Sequence, residues 1–244
     1  MVKKYLSELK DLKQIIKSLD FKVTYVFLSV AVIIFLSISF ATPLFYYNNI
    51  GQDRLDSRLY WFFTDGLLMF LIPFLSIKFV LKGKLSDYGF SLGDKKFGLF
   101  SVAAFFLFML PFLWVVSATP DFAKTYPQGG SEVSSNLSIF LLYEAGVLTY
   151  MLGWEFLWRG YMLFGLKEKF GYYSIFIQMI PFFILHKGKP ELELLGSIFA
   201  GLVMGIQAWR SNSFVYSWIL HWLIMFSIDT ISILREKTGF YKIF

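Results

Sequence analysis

The sequence predicts an all-α polytopic membrane bundle of about seven to eight transmembrane helices, and three observations carry that prediction. The chain has 244 residues, of which 57% are hydrophobic, 21% aromatic and only 16% charged, whereas a water-soluble domain carries roughly a quarter charged and about 45–50% apolar residues. Its mean hydropathy is +0.59. Seven apolar stretches, most of them near the about twenty residues that cross a bilayer core, follow one another along the chain. A disordered protein and an ordinary cytosolic enzyme are thereby excluded. With no cysteine there is no disulfide framework, no thiolate nucleophile and no sulfur-ligated metal, so any metal must rest on His, Asp or Glu.

Residues 1–22 hold Lys3, Lys4, Lys10, Lys13, Lys17 and Lys22 with Leu6, Leu9, Leu12, Ile15, Ile16 and Leu19 at helical spacing, the pattern of a basic amphipathic helix lying on a membrane surface. The apolar segment that follows is too long and begins too late for a cleaved signal peptide and reads as a retained span. The expected spans are 23–44, 60–81, 99–118, 137–166, 172–185, 194–209 and 213–234. The fifth and sixth are short and the fourth is too long for a perpendicular crossing, which suggests tilt or a cavity within the bundle. The organisation is thus an amphipathic leader over 1–22, helices and loops over 23–135, a core over 136–234 that holds most of the buried ionisable residues, and a tail over 235–244.

Lys/Arg counts in short loops set the orientation. Six lysines precede the first span, Lys82, Lys84, Lys95 and Lys96 follow the second, and only Lys124 lies between the third and fourth. The amino terminus is therefore expected in the cytoplasm, the protein sitting in the plasma (inner) membrane with membrane lipids as partners. A net charge of +6 is explained by basic residues at helix ends beside anionic lipid, so no nucleic-acid partner is expected.

Ionisable groups at membrane depth cost at least ~2.5–3.5 kcal/mol on insertion scales, and those this chain keeps are few. Glu144, Glu155 and Arg159 share the fourth span. At ~100° per residue Glu155 falls ~20° and Arg159 ~60° from Glu144, on one stripe. The only two histidines, His186 and His221, close the fifth span and sit inside the seventh. Counting from the intervening turns puts Glu155, His186 and His221 roughly 21, 26 and 15 Å along their helices, a broadly common level. A carboxylate and two imidazoles in a dry bundle suit hydrolysis: Glu can deprotonate water, and histidines can bind a metal or hold the water and the oxyanion. The signatures of other routes, His-Glu-x-x-His, Gly-x-Gly-Asp and Gly-x-Ser-x-Gly, are missing.

These residues resemble the CAAX-protease and bacteriocin-processing family (CPBP, or Abi) of intramembrane endopeptidases. That family carries Glu-Glu-x-x-x-Arg on one helix, Phe-x-x-x-His on the next, and His-x-x-x-Asn or a close variant on a later one. Glu155 and Arg159 match the second glutamate and the arginine, Phe182 and His186 the second motif, and His221 the third. The resemblance covers about residues 140–230, and Asp87–Gly93 looks like the family's short stretch before the core. Two positions depart: Trp154 stands where the family has its first glutamate, usually given the water-activating role, and Met225 stands where it has asparagine.

The resemblance implies an intramembrane endopeptidase acting on a membrane-associated or lipid-modified peptide or protein, with Glu155 activating water, His186 and His221 on a metal or the oxyanion, and Arg159 orienting Glu155. Glu144 or Asp229 could replace the lost polar group. His186, His221 and Glu155 also fit a three-ligand zinc pattern, in which case Glu155 is a ligand and Glu144 the base; a metal-free glutamate site is the alternative. Against these stand plainer readings: an i,i+4 ion pair that fixes helix packing for Glu155 and Arg159, an interfacial His186, a polar anchor for Glu144, and a close packing face for Gly196, Gly201 and Gly205. The competing function is a catalytically degenerate relative serving as a membrane chaperone, immunity or assembly factor, motivated by Trp154 and Met225. A proton-relaying transporter is a third, disfavoured by the lack of a repeated half.

Overall fold

The computed structural model describes residue 11 and residues 13–239, and every regular element among them is helical. Of the expected amphipathic leader, residues 13–18 are helical, with Ile15, Ile16 and Leu19 exposed; its Lys3, Lys4, Lys10, Leu6, Leu9 and Leu12 lie outside the described residues, as do residues 240–244 of the tail.

Aspartates start the first three long helices. Asp20 accepts a hydrogen bond from the Val23 N–H ahead of α1 (Phe21–Phe40), Asp53 from Asp56 ahead of α3 (Arg54–Leu75), and Asp94 from Phe97 ahead of α4 (Lys95–Val116). In each case the carboxylate satisfies an N–H that the helix cannot. A short α2 (Pro43–Asn49) links α1 to α3, which continues as a π-helical turn over Ser76–Val80. Two further short helices, α5 (Pro120–Thr125) and α6 (Ser131–Ser135), lead to α7 (Leu137–Glu155), which passes through a π-helical turn (Phe156–Met162) into α8 (Leu163–Phe170). Then come α9 (Tyr173–Ile184), α10 (Glu191–Ser211) and α11 (Val215–Thr238).

Among the described residues six helical segments are long and apolar enough to cross a membrane, and Tyr173–Ile184 is a shorter apolar seventh. The expected bundle is what forms. The fourth segment does not divide: residues 137–170 run on as one helical rod of 34 residues. The second starts at Arg54 rather than Tyr60, because Asp53 caps a polar first turn that hydropathy alone leaves in the loop.

That long rod is the axis of the molecule. Phe156, Leu157, Trp158, Arg159, Tyr161 and Leu163 are all unexposed. On one side α3 touches it backbone to backbone, since a Cβ built on Gly153 would stand 2.1 Å from the Gly66 carbonyl oxygen. On another, α9 packs on α10 where a Cβ on Gly201 or Gly205 would meet Met179 or Gln178 and Ile175; Gly196, expected on the same face, has open space. At the end bearing the start of α4, residues 89–94 are tied to the α10–α11 turn: the Asp94 N–H donates to the Ser211 carbonyl (2.8 Å), Phe214 N–H to Gly89 (3.2 Å) and Tyr216 hydroxyl to Leu92 (2.7 Å). Phe79, Phe100, Leu107, Phe108 and Leu137 are exposed on the outside, as a lipid-facing perimeter requires.

Candidate active site

Glu155 ends α7, and the π turn begins at the next residue. Such turns frequently interrupt a regular helix at functional positions. One turn on, Arg159 donates from a terminal guanidinium nitrogen to Glu155 Oε1 at 3.0 Å, and both side chains are fully buried. His221, reaching across from α11, places Nδ1 2.6 Å from the same oxygen. The Arg159 guanidinium lies 3.9 Å from the centre of the Phe182 ring. Phe182 in turn offers its carbonyl oxygen to His186 Nδ1 at 2.7 Å, and the two rings lie 4.5 Å apart. Trp154 closes the group, with its ring 5.7 Å from those of both His186 and Phe182.

The acceptors assign the imidazole protons. A carboxylate and a carbonyl can only accept, so each histidine carries a proton on Nδ1, and in the neutral imidazole the lone pair is then on Nε2. Charge is balanced locally as well, since the Arg159 guanidinium neutralises Glu155 in a place where an unpaired carboxylate would be costly.

A cavity of about 620 Å³ opens beside this cluster, and His186, His221, Trp154 and Met225 line it together with Tyr150, Trp61 and Arg58. Glu155 and Arg159 are not among the lining residues. The wall therefore presents two imidazoles, and the ion pair sits behind one of them. At the outer end lie Arg54, Asp121, Lys124, Lys187, Lys189 and Glu191. There the Tyr126 hydroxyl bridges Glu193 (2.7 Å) and Lys189 (2.9 Å); burial, with the Glu193 carboxylate beside it, holds the Tyr126 phenol well above its ordinary range.

Of the expected site residues, Glu155, Arg159 and His221 are in direct contact and His186 joins them through Phe182 and the shared wall. Glu144 is elsewhere, buried on α7 against Asp229 of α11, roughly 16 Å along the helix from Glu155. Among the described residues no three of His, Asp and Glu converge as a metal-holding group. Glu155 Oε1 is shared between a guanidinium and an imidazole, and Glu155 does not line the cavity with the two histidines, so as arranged His186, His221 and Glu155 do not form one ligand set. Sequence reasoning passed over Arg58, which lines the cavity; the Asp53 cap before Arg54 was the signal that the helix begins early enough to include it. It also left Phe182 as a motif letter, with no indication that its ring and its carbonyl serve two different partners.

Residues 136–227 match a family model described as Rce1-like, type II CAAX prenyl endopeptidase Rce1-like. No curated protein and no solved structure matches the chain. The matched stretch contains Glu155, Arg159, Phe182, His186 and His221, while Arg58 and the α3 wall of the cavity lie before it. The motif resemblance and this match fall on the same helices: residues 136–227 are similar to the CPBP family, a family of intramembrane proteases.

Proposed function

We propose that the protein is an intramembrane endopeptidase that hydrolyses a peptide bond of a membrane-associated or lipid-modified peptide, with His221 as the base. The observation that carries this reading is the 2.6 Å contact between Glu155 and a histidine that itself lines the cavity. A water in the cavity gives a proton to His221 Nε2 and adds its oxygen to the scissile carbonyl carbon. Glu155 holds the imidazole in the tautomer that can accept that proton and stabilises the imidazolium that results. His186 Nε2 can accept the second hydrogen of the same water and so aim its lone pair. The proton then passes from His221 to the leaving amine as the carbon–nitrogen bond breaks.

The test compares protein termini in membranes from cells carrying wild type, a deletion, Glu155→Gln, His186→Ala or His221→Ala. New termini are expected with wild type alone, and loss of the base should lower turnover of the substrate so identified by about 10²–10⁴-fold. Unchanged turnover in all three variants would sink the mechanism.

Trp154 and Met225 favour a second reading, because both line the cavity where the family pattern has polar groups. A non-catalytic relative using the cavity to hold a partner would show the same termini in every strain, and Glu155→Gln, which preserves shape, would complement the deletion fully.

A further inference from the structure

Arg58 stands one turn inside α3, half-buried, in the wall of the same cavity as the two histidines. Its guanidinium lies 5.6 Å from the centre of the Trp61 ring. Among the described residues it makes no hydrogen bond or ion pair, and its Nε is buried without a partner. Among the described residues no carboxylate pairs with it; its titratable neighbours are the phenols of Tyr143, Tyr47 and Tyr126 and the Arg54 guanidinium. The other basic residues of the cavity differ. Arg54 donates to the Gln128 carbonyl at 2.9 Å, Lys189 pairs with Glu193 at 3.5 Å, and Lys124 and Lys187 are exposed to solvent. The acidic lining residues Asp121 and Glu191 are exposed, and Glu193 is taken by Tyr126 and Lys189.

A partly buried charge is ordinarily matched by a counter-charge and hydrogen bonds. Arg159 has the Glu155 carboxylate and Lys189 that of Glu193, whereas Arg58 has an open cavity instead. A guanidinium presents its donors in a planar fork that fits a carboxylate or phosphate by two parallel hydrogen bonds. We infer that Arg58 is the anchor of an oxyanion-binding subsite, which holds a carboxylate or phosphate group of the molecule occupying the cavity. The Trp61 face beneath it keeps the guanidinium in place while the fork stays available. Naming the anion as part of the substrate rests on the endopeptidase reading; the subsite itself does not.

The experiment measures binding, without turnover, to the full chain in phosphatidylcholine nanodiscs. Hexanoate, hexyl phosphate and the neutral isostere hexanamide are titrated, and tryptophan fluorescence is followed. Saturable binding is expected for one or both anions and at least about tenfold weaker binding for hexanamide. Preference between hexanoate and hexyl phosphate distinguishes a peptide carboxylate from a phosphorylated or lipid-headgroup source. Arg58→Gln should weaken anion binding at least about tenfold, and Arg58→Lys, a point charge without the fork, should fall between. Equal binding of hexanamide to wild type, a comparison that needs no variant to fold, would overturn the proposal; so would undiminished anion binding by a folded Arg58→Gln protein. His221→Ala should bind the anions as wild type does. Loss of hydrolysis evidence with anion binding intact would remove the endopeptidase reading and leave the subsite standing.

Discussion

Glu155 lies one residue from the cavity wall and never reaches it, so in the proposed reaction its carboxylate works only through its two partners. The same oxygen that receives Arg159 receives His221, and the tie between them is Phe182, whose ring carries the guanidinium and whose carbonyl fixes His186. Phe182→Leu keeps the carbonyl and removes the ring. It is expected to lower stability by about 1–2 kcal/mol from the lost cation–π contact and packing, measured by unfolding in mixed micelles, and to leave His186 in its tautomer. The Glu155–Arg159 pair was legible because an i,i+4 spacing on a helix decides contact locally. That Glu155 and His221 lie at a broadly common level was legible from counting along the helices; that they touch was not. What the residue sequence did not disclose is that Trp154, and not Glu155, faces the cavity, since the rotation of α7 is set by how closely α3 approaches it.

That approach is a property of the two helices. Gly66 and Gly153 let the backbones of α3 and α7 meet, and a methyl on Gly153 would stand 2.1 Å from a carbonyl oxygen with nowhere to retreat. Gly153→Ala should therefore cost about 1–3 kcal/mol as an overpacked contact, read as a lower unfolding midpoint, and should displace Trp154 and Tyr150 at the wall. Helix starts obey a simpler rule. The spans expected from hydropathy miss the polar first turns, and Asp20, Asp53 and Asp94 show where the helices begin. Asp94 also pairs with Arg210 at 3.1 Å. The Phe97 N–H chiefly, helped by that guanidinium, holds its carboxyl below the usual range. A depressed folded-state pKa means stability that is complete above the unfolded value of about 3.9 and lost as pH falls through the lower folded value. Asp94→Asn should thus be the less stable protein near neutral pH, with the gap to wild type closing below about pH 4 in a pH series of unfolding midpoints.

At the scale of the molecule the two ends differ in character. One end carries the tie between residues 89–94 and the α10–α11 turn. The other carries the cavity and its charged rim of Arg54, Asp121, Lys124, Lys187 and Glu191. Lysine counts predict that the first end faces the cytoplasm, and on that expectation the cavity opens on the opposite side of the membrane. The chain contains no cysteine, which makes the check direct. In intact cells an impermeant maleimide should label Lys187→Cys at once and Lys84→Cys only after permeabilisation, both positions being exposed; the reverse pattern would turn the molecule over.

The shortest of the apolar helices has a consequence for the bilayer itself. α9 has 12 residues, a reach of about 18 Å at 1.5 Å each, beside a hydrocarbon layer about 30 Å thick. Exposed Ile180 and Ile184 end its outer face, and the chain then turns through residues 185–190 into the cavity rim. Backbone that leaves a helix at this depth is tolerated only where it is covered by protein or wetted by an aqueous cavity. Acyl chains next to α9 are therefore expected to shorten or splay, thinning the bilayer at one point of the perimeter where a segment from a neighbouring molecule would have the shortest path from lipid to water.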